Sequence, residues 1–146
     1  MEPVKFVALD RDDLEVVSTH LQDAEVKVAD VHWRPKENRL VLGVARFDWM
    51  AASAPAPEFR RCRSALRFDR VLACKSRNID LAAPGTVLDL VGIEFHSHDA
   101  PGGSALLLFT HGGAIRLDVE CLECELTDLG PDELGTGEAG EGEFGG

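Results

Sequence analysis

G-A-I-R-L-D-V-E-C-L-E-C-E-L-T-D-L-G, from Gly113 to Gly130, carries the clearest strand pattern in this sequence. Apolar residues fall at every second position from Ile115 to Cys121, with charged residues between them, which is the period of a half-buried β-strand. From Leu122 onward the apolar residues fall at even positions instead. One extra residue turns every later side chain of a strand over. The reversal therefore predicts either a bulge near Cys121–Leu122 or a move of the chain to a different packing surface.

The remaining chain predicts one helix and several more strands. Leu14, Val17 and Leu21 recur at helical spacing behind an acidic start, which predicts an amphipathic helix from Arg11 to about Gln22. Apolar alternation or short apolar runs predict strands at Lys5–Leu9, in a hairpin over Glu25–Trp49, from Cys62 onward through Val71–Lys75, at Val87–Phe95 and at Ala105–Phe109. The apolar pattern within Val87–Phe95 changes from even to odd positions at Gly92, where we expect a bulge.

The short connections between the predicted strands favour antiparallel neighbours, because parallel strands need a long crossover. We therefore predict an α+β fold that is mainly antiparallel, a strongly bent sheet or small barrel of about seven strands with one N-terminal helix. The helix is expected to cover one opening. The predicted core residues are Phe6, Leu9, Leu14, Val17, Leu21, Val28, Leu42, Leu66, Phe68, Ile93, Phe95, Leu107, Leu117 and Val119.

The length of 146 residues suits one hydrophobic core and is short for two. We predict a single globular domain over residues 1–129 and a disordered Gly/Glu-rich tail over residues 130–146, because the tail composition cannot bury enough surface to offset its ordering entropy. The Ala/Pro-rich segment Met50–Phe59 has no period and is expected to form an exposed loop.

The charge of the chain limits the partners that it could bind, and its apolar runs and first residues indicate its compartment. A net charge of −11 argues against general affinity for nucleic acid or anionic lipid. No long uncharged apolar run predicts a membrane span, and the first residues show no secretory signal, so we expect a cytoplasmic protein. In that compartment the four cysteines are expected to be reduced thiols. The sequence is compatible with a homo-oligomer, and it predicts no cofactor.

Several long blocks carry a resemblance to a known family. They are F-V-A-L-D-R-D-D-L-E-V-V-S-T-H-L-Q-D-A at the start, R-F-D-W at Arg46–Trp49, S-A-L-R-F-D-R-V-L at Ser64–Leu72 and A-I-R-L-D-V-E-C-L at Ala114–Leu122. Over residues 5 to 130 the chain resembles an uncharacterised family of alphaproteobacterial proteins, a domain of unknown function. The resemblance implies a cytoplasmic bacterial protein and supplies no catalytic residues.

Histidines and cysteines provide one candidate for chemistry. His96 and His98 place two imidazoles on one strand face, and Cys121 and Cys124 form a C-x-x-C pair. Imidazole and thiolate groups are the ligands that zinc takes in proteins. Both cysteines lie inside an alternating apolar pattern, whereas zinc-binding pairs lie on turns, so the pattern favours buried structural thiols over a metal site. A small metal-dependent or small-molecule enzyme that uses His96, His98 and a cysteine remains the alternative function.

A basic segment provides the candidate that we favour. Seven cations crowd residues 60–77, although the chain as a whole is strongly acidic. Five of these cations have odd numbers and could therefore form a positive stripe on the outer face of the sheet. We predict that they bind a ligand: Arg61, Arg63, Arg67, Lys75 and Arg77. Such a stripe could bind an acidic protein segment, a nucleotide or RNA, and we favour an acidic protein partner. The other interpretation is that the stripe faces the acids of Asp118–Glu125 across the sheet or is simply solvated. We therefore predict a binding or accessory module without catalytic activity.

Deletion of residues 130–146 is expected to leave the melting temperature within a few degrees of that of the full chain, because a Gly/Glu-rich tail adds little to a folded core. Thermal unfolding followed by circular dichroism measures this. A large drop would show that the tail packs against the domain.

Overall fold

The structure, a computed structural model, describes residues 5–47 and 61–131. The predicted loop Met50–Phe59 lies outside these residues, as do residues 132–146 of the predicted tail. Gly130 and Pro131, the first two residues of that tail, belong to a strand. The elements are β1 Lys5–Ala8, α1 Arg11–His20, β2 Glu25–Lys27, β3 Val31–Arg34, β4 Arg39–Phe47, β5 Arg61–Phe68, β6 Val71–Arg77, β7 Val87–Ser97, β8 Gly103–Phe109, β9 Ala114–Val119 and β10 Cys124–Pro131.

Helix α1 confirms the prediction from periodicity and ends two residues before the expected limit. Asp10 caps its N-terminus, where the Asp10 side chain accepts a hydrogen bond of 2.8 Å from the backbone N–H of Asp13. Leu14 and Val17 are buried on the face that packs against the sheet. This helix is too short and too polar to span a membrane.

The ten described strands form one antiparallel sheet in the order β1-β10-β5-β4-β2-β7-β8-β9-β6, and β3 pairs beside β4. The α+β class, the antiparallel pairing and the single N-terminal helix are confirmed. The expectation of about seven strands in a strongly bent sheet or small barrel is wrong, because the sheet is neither closed nor strongly curled. Within the described residues β1, β3 and β6 each pair with one strand only, and β1 and β6 are the two ends of the strand order.

Two segments contain more strands than their patterns indicated. The predicted hairpin over Glu25–Trp49 holds three strands, because a short 3-10 turn at Val28–Asp30 separates β2 from β3. The stretch Gly113–Gly130 holds two strands, because β9 ends at Val119 and β10 begins at Cys124. Strand β9 pairs with β8 and β6, whereas β10 pairs with β1 and β5. The change of parity therefore marks a move to a different part of the sheet, the second of the two predicted alternatives, and no bulge at Cys121–Leu122.

The expected bulge at Gly92 is confirmed. The register of β7 against β8 shifts between Leu90 and Gly92. The backbone N–H of Ile93 donates a hydrogen bond of 3.0 Å to Oγ of Ser18, which ties the bulged strand to α1. A Cβ added at Gly92 would lie 3.6 Å from the same Ser18 oxygen. The bulge thus coincides with the contact between the helix and the sheet.

The buried core agrees with the predicted residues except at its margins. The predicted residues from Leu14 to Val28, and those on β4, β5, β8 and β9, are buried, and so is Ile93. Phe6 and Phe95 are partly buried against the core. Leu9 is 61% exposed, so its assignment to the core is wrong. It follows the last residue of β1 and precedes the helix cap, and therefore belongs to neither apolar face.

A buried polar cluster joins three neighbouring strands on the core side of the sheet. Arg46 of β4 is 1% exposed, Ser64 of β5 is 0% exposed and Asp128 of β10 is 7% exposed. The Arg46 guanidinium donates from Nε to Oδ1 of Asp128 at 3.0 Å and from Nη2 to Oδ2 at 2.8 Å. Oγ of Ser64 donates to the same carboxylate at 2.7 Å. Such a bidentate geometry is strong and directional, and it compensates for the removal of both charges from water.

Replacing Asp128 with Ala is expected to lower the free energy of unfolding by about 3–5 kcal/mol, because the buried Arg46 guanidinium loses the carboxylate that accepts two of its hydrogen bonds. Urea unfolding measures the change. The double variant Arg46→Met with Asp128→Leu is the matched control, because it removes both charges and should recover much of the loss. Equal stability of Asp128→Ala and the unsubstituted chain would contradict this account.

Candidate binding surface

The structure separates the five predicted binding residues into two groups. Arg61, Arg63 and Arg67 lie on β5, between β10 and β4. Lys75 and Arg77 lie on β6, which is the last strand of the sheet and pairs with β9. The parity that these residues share in the sequence does not make their strands neighbours. The single continuous stripe is therefore not formed along the sheet.

The arginines on β5 interact with other groups of the protein. Arg67 donates from Nε to Oδ2 of Asp69 at 2.9 Å and from Nη2 to Oε2 of Glu125 at 2.8 Å. Arg67 and Glu125 stand opposite each other in the register of β5 and β10. Arg61 donates from Nη1 to the carbonyl oxygen of Ala45 at 3.1 Å. Arg67 thus follows the second interpretation of the basic segment, in which it faces acids across the sheet.

Glu125 remains ionised to lower pH than an ordinary glutamate. Burial acts to raise the pKa of Glu125, but the hydrogen bond from Thr127 and the positive charges of Arg67 and Lys5 outweigh it and lower the pKa. The Thr127 hydroxyl lies 3.1 Å from Oε1, and Nζ of Lys5 lies 3.4 Å from the same oxygen. The ionised Glu125 therefore compensates for part of the positive charge of Arg67 and Lys5 within the protein.

The cations on β6 are placed differently. Lys75 and Arg77 are exposed, and Lys75 stands opposite Arg116 of β9 in the register. Arg116 donates from Nε to Oδ1 of Asp118 at 3.0 Å. Among the described residues, neither Lys75 nor Arg77 makes a direct ion pair or a side-chain hydrogen bond. We call Lys75, Arg77 and Arg116 the basic edge.

Asp118 is the carboxylate beside the basic edge. Burial acts to raise its pKa, but hydrogen bonds from Ser104 and Arg116 and the charges of Arg116 and Lys75 lower the pKa overall. An ionised Asp118 holds Arg116 at 3.0 Å and compensates for part of its charge. Two cations of the basic edge, Arg116 and Lys75, thus act on the Asp118 carboxylate, which the structure ties to Arg116.

A histidine, a serine and an aspartate form a chain that the sequence analysis did not identify. Nε2 of His98 lies 2.8 Å from Oγ of Ser104, which in turn donates to Oδ1 of Asp118 at 3.0 Å. Because the single hydroxyl proton of Ser104 is directed to the carboxylate, His98 must donate its own N–H to Oγ. A nucleophilic serine requires the reverse order, in which histidine accepts the serine proton. The chain therefore fixes side chains and does not activate Ser104.

The residues of the alternative enzyme make separate contacts. His96 lies 3.0 Å from Oε1 of Glu94, and His98 bonds to Ser104 instead. Cys121 lies in the connection after β9, whereas Cys124 is buried in β10, where burial raises the pKa of its thiol. A protonated thiol is a poor nucleophile and a poor metal ligand. Within residues 5–47 and 61–131, no three His, Cys, Asp or Glu side chains are placed to hold a metal ion.

A cavity of about 510 Å³ lies where the start of α1 meets β7 and the β9–β10 connection. It is lined by Leu9, Asp10, Arg11, Phe95, Ser97, Pro101, Cys121 and Leu122. Of the residues of the alternative enzyme, Cys121 reaches this cavity, and neither histidine does. The Asp10 carboxylate caps the helix, and Nε of Arg11 donates to the carbonyl oxygen of Phe95 at 3.3 Å. The cavity therefore does not combine the groups that the enzyme would need.

The chain belongs to the family described as Protein of unknown function (DUF2948), which matches residues 4–140. This confirms the resemblance to a family of unknown function, and the alphaproteobacterial origin stays a prediction. No curated protein and no solved structure was found to match the chain.

The two groups of cations are expected to differ in their effect on stability. Arg67→Ala removes contacts to Asp69 and Glu125 and should lower the free energy of unfolding by about 1 kcal/mol, a modest value because the guanidinium is partly exposed. Arg77→Ala is the matched control and should change it by less than about 0.5 kcal/mol. Urea unfolding at neutral pH compares the two. Equal losses would contradict the division of the cations.

The effect of Arg67→Ala is also expected to depend on pH. The pKa of Glu125 is lower in the folded protein than in the unfolded chain, so its contribution is complete above the ordinary glutamate pKa. That contribution is lost as the pH falls through the lowered value. The difference in stability between Arg67→Ala and the unsubstituted chain should therefore shrink in acid. A difference that is constant down to acid pH would show that Arg67 stabilises the fold through packing alone.

Proposed function

We propose that this DUF2948 protein is a binding module without catalytic activity, which recognises an anionic segment of a partner protein at the basic edge. The proposal keeps Lys75 and Arg77 from the predicted binding residues and adds Arg116, which the register of β6 and β9 places beside Lys75. The module is expected to act in the bacterial cytoplasm, as the family resemblance implies.

One observation carries the proposal. Lys75 and Arg77 are exposed on the last strand of the sheet, and neither makes a direct ion pair with another described residue. Arg67, in contrast, is bound to Asp69 and Glu125. The acidic residues of a chain with net charge −11 already provide the charge that solubility requires, so exposed cations are not needed for solubility. Asp118 compensates for part of the charge of Arg116, and an acidic ligand supplies the direct partners that Lys75 and Arg77 lack among the described residues.

The net charge favours a short protein segment over nucleic acid. A duplex presents closely spaced phosphates over a long distance, and most of the acidic surface of this chain would repel them. A segment of a partner protein brings a few carboxylates to the basic edge and can turn away from the rest of the surface. Attraction at the basic edge then speeds and orients the encounter.

Reversing both charges, with Lys75→Glu and Arg77→Glu, is expected to weaken binding of a short oligoglutamate peptide by at least about tenfold. Fluorescence anisotropy of a labelled peptide measures the dissociation constant, and added salt should weaken binding to the unsubstituted protein. The fold should persist, since exposed charges contribute little to stability.

The matched control is Arg34→Glu with Lys36→Glu, which produces the same change in net charge on two exposed cations next to the turn Pro35–Glu37. It should leave the dissociation constant nearly unchanged. Equal weakening in both double variants would show an effect of net charge alone and would overturn the proposed surface. Tighter binding of a DNA duplex than of the peptide would overturn the proposed class of partner.

A further inference from the structure

Three described strands have an unpaired edge among the described residues: β1, β3 and β6. At the start of β6 the N–H of Val71 donates to the carbonyl oxygen of Asn38 at 3.0 Å, so the free stretch of β6 is residues 73–77, whereas β1 and β3 have four residues each. The lysine on β1 and the arginine on β3 have partners, because Lys5 contacts Glu125 and Arg34 contacts Glu37. A free edge presents unpaired N–H and C=O groups that can pair with another extended chain. Of these three strands, β6 therefore combines the longest free stretch with two cations, Lys75 and Arg77, that have no direct partner among the described residues.

The register indicates which backbone groups of β9 face β6. The N–H of Phe109 donates to the carbonyl oxygen of Gly113 at 2.9 Å, so the odd-numbered residues of β9 direct their backbone groups to β8. Backbone groups alternate between the two sides of an antiparallel strand. The even-numbered residues, among them Arg116 and Ala114, therefore direct theirs to β6. The bond of 3.0 Å from the N–H of Glu120 to the carbonyl oxygen of Arg70 follows the same alternation.

The same alternation assigns the groups of β6. Lys75 and Arg77, which stand opposite Arg116 and Ala114, direct their N–H and C=O groups to β9. The backbone groups of Cys74 and Ser76 then point to the free edge. The regular part of this edge begins at Ala73, because the register shifts between Val71 and Ala73. The free edge is thus a short, regular stretch over residues 73–77.

The side chains along this stretch determine which residue pattern a partner strand would need in order to pair with it. Lys75 and Arg77 project from the outer face two residues apart, a separation of about 7 Å in a strand. A partner strand repeats that spacing, so carboxylates at alternate positions would lie near both cations. Its other side chains would lie on the side of Cys74, which is partly buried against the core. The cations repel a second copy of β6, and this favours an acidic strand over self-pairing.

We infer that the anionic partner segment binds as an added β-strand along the free edge of β6. Its acidic residues occupy alternate positions opposite Lys75 and Arg77, and apolar residues lie between them. Its backbone pairs with the N–H and C=O groups of Cys74 and Ser76. This inference rests on the proposed function and adds the conformation and the residue pattern of the ligand.

The first test compares two synthetic peptides of identical composition. In one peptide glutamate and valine alternate, and in the other the glutamates form one block and the valines another. The alternating peptide should bind at least about tenfold more tightly, because its strand places every glutamate on the side of the cations and every valine on the side of Cys74. A strand formed by the glutamate block would also place carboxylates on the partly buried side of Cys74. Equal affinity of the two peptides would overturn strand addition.

The second test removes one backbone donor. Ser76→Pro eliminates the N–H that points to the free edge and leaves the pairs to β9 intact. Edge strands tolerate proline at such a position, where the missing N–H would face solvent. It should weaken binding of the alternating peptide by at least about tenfold. Ser76→Ala keeps the N–H, and binding should be unchanged. Circular dichroism and the melting temperature verify that both variants fold.

Hydrogen exchange of the unsubstituted protein provides a readout that does not depend on the proline variant. On addition of the alternating peptide, the amides of Cys74 and Ser76 should become protected. The amides of Lys75 and Arg77 should change little, because they are already bonded to β9. Unchanged exchange at Ser76 in the saturated complex would overturn strand addition.

The outcomes separate this inference from the proposed function. If the double reversal of Lys75 and Arg77 weakens both peptides equally and Ser76 gains no protection, the basic edge binds anions without strand addition. The proposed function then stands and this inference fails. If the double reversal has no effect on either peptide, the proposed function fails and this inference fails with it.

Discussion

The buried ion pair between Arg46 and Asp128 is the constraint on which the arrangement of this protein depends. It joins β4 to β10 across β5, and Ser64 of the middle strand donates a third hydrogen bond to the carboxylate. A slip of one residue in any of these strands would turn its side chain to the opposite face and leave a charge inside without its partner. The pair therefore acts together with the apolar alternation of these strands to specify one register for three adjacent strands.

That register determines which arginines of the basic segment are engaged. With β5 and β10 aligned, Arg67 stands opposite Glu125 and binds it at 2.8 Å. The turn at Asp69–Arg70 then leads the chain to the other half of the sheet, and the connection from Glu120 to Glu123 returns it. The two segments bond to each other, from the N–H of Asp69 to Glu123 at 2.9 Å and from the N–H of Glu120 to Arg70 at 3.0 Å. They separate β6 from β5 and leave Lys75 and Arg77 at the far edge.

Local features of the fold could be predicted from the sequence because each depends on neighbouring residues. The spacing of Leu14 and Val17 defined the helix, Gly92 marked the bulge, and the parity change after Cys121 marked the move between sheet regions. The order of the strands and the open form of the sheet could not be predicted, since alternation shows which side chains are inside and not which strand lies next. For the same reason the predicted stripe combined residues of two distant strands.

The buried ion pair could have been predicted from the positions of its two charged residues. Arg46 follows Leu42 and Val44 at the same parity, and Asp128 follows Cys124 and Leu126 in the same way. Two opposite charges at core-facing positions of two strands indicate a buried pair, because neither charge is stable inside alone. The basic edge left a weaker signal. Arg116 becomes a neighbour of Lys75 only through the pairing of β6 with β9.

The central claim is that the pairing of the sheet leaves the binding surface at β6 and not at β5. Chemical-shift mapping of the labelled protein, titrated with the alternating glutamate–valine peptide, tests this claim most directly. The account predicts that the shifted amides cluster on Ala73–Arg77 and on the facing residues Ala114–Asp118 of β9. A cluster around Arg61 and Arg63 on β5, or around Leu9 and Phe95 at the cavity, would contradict it.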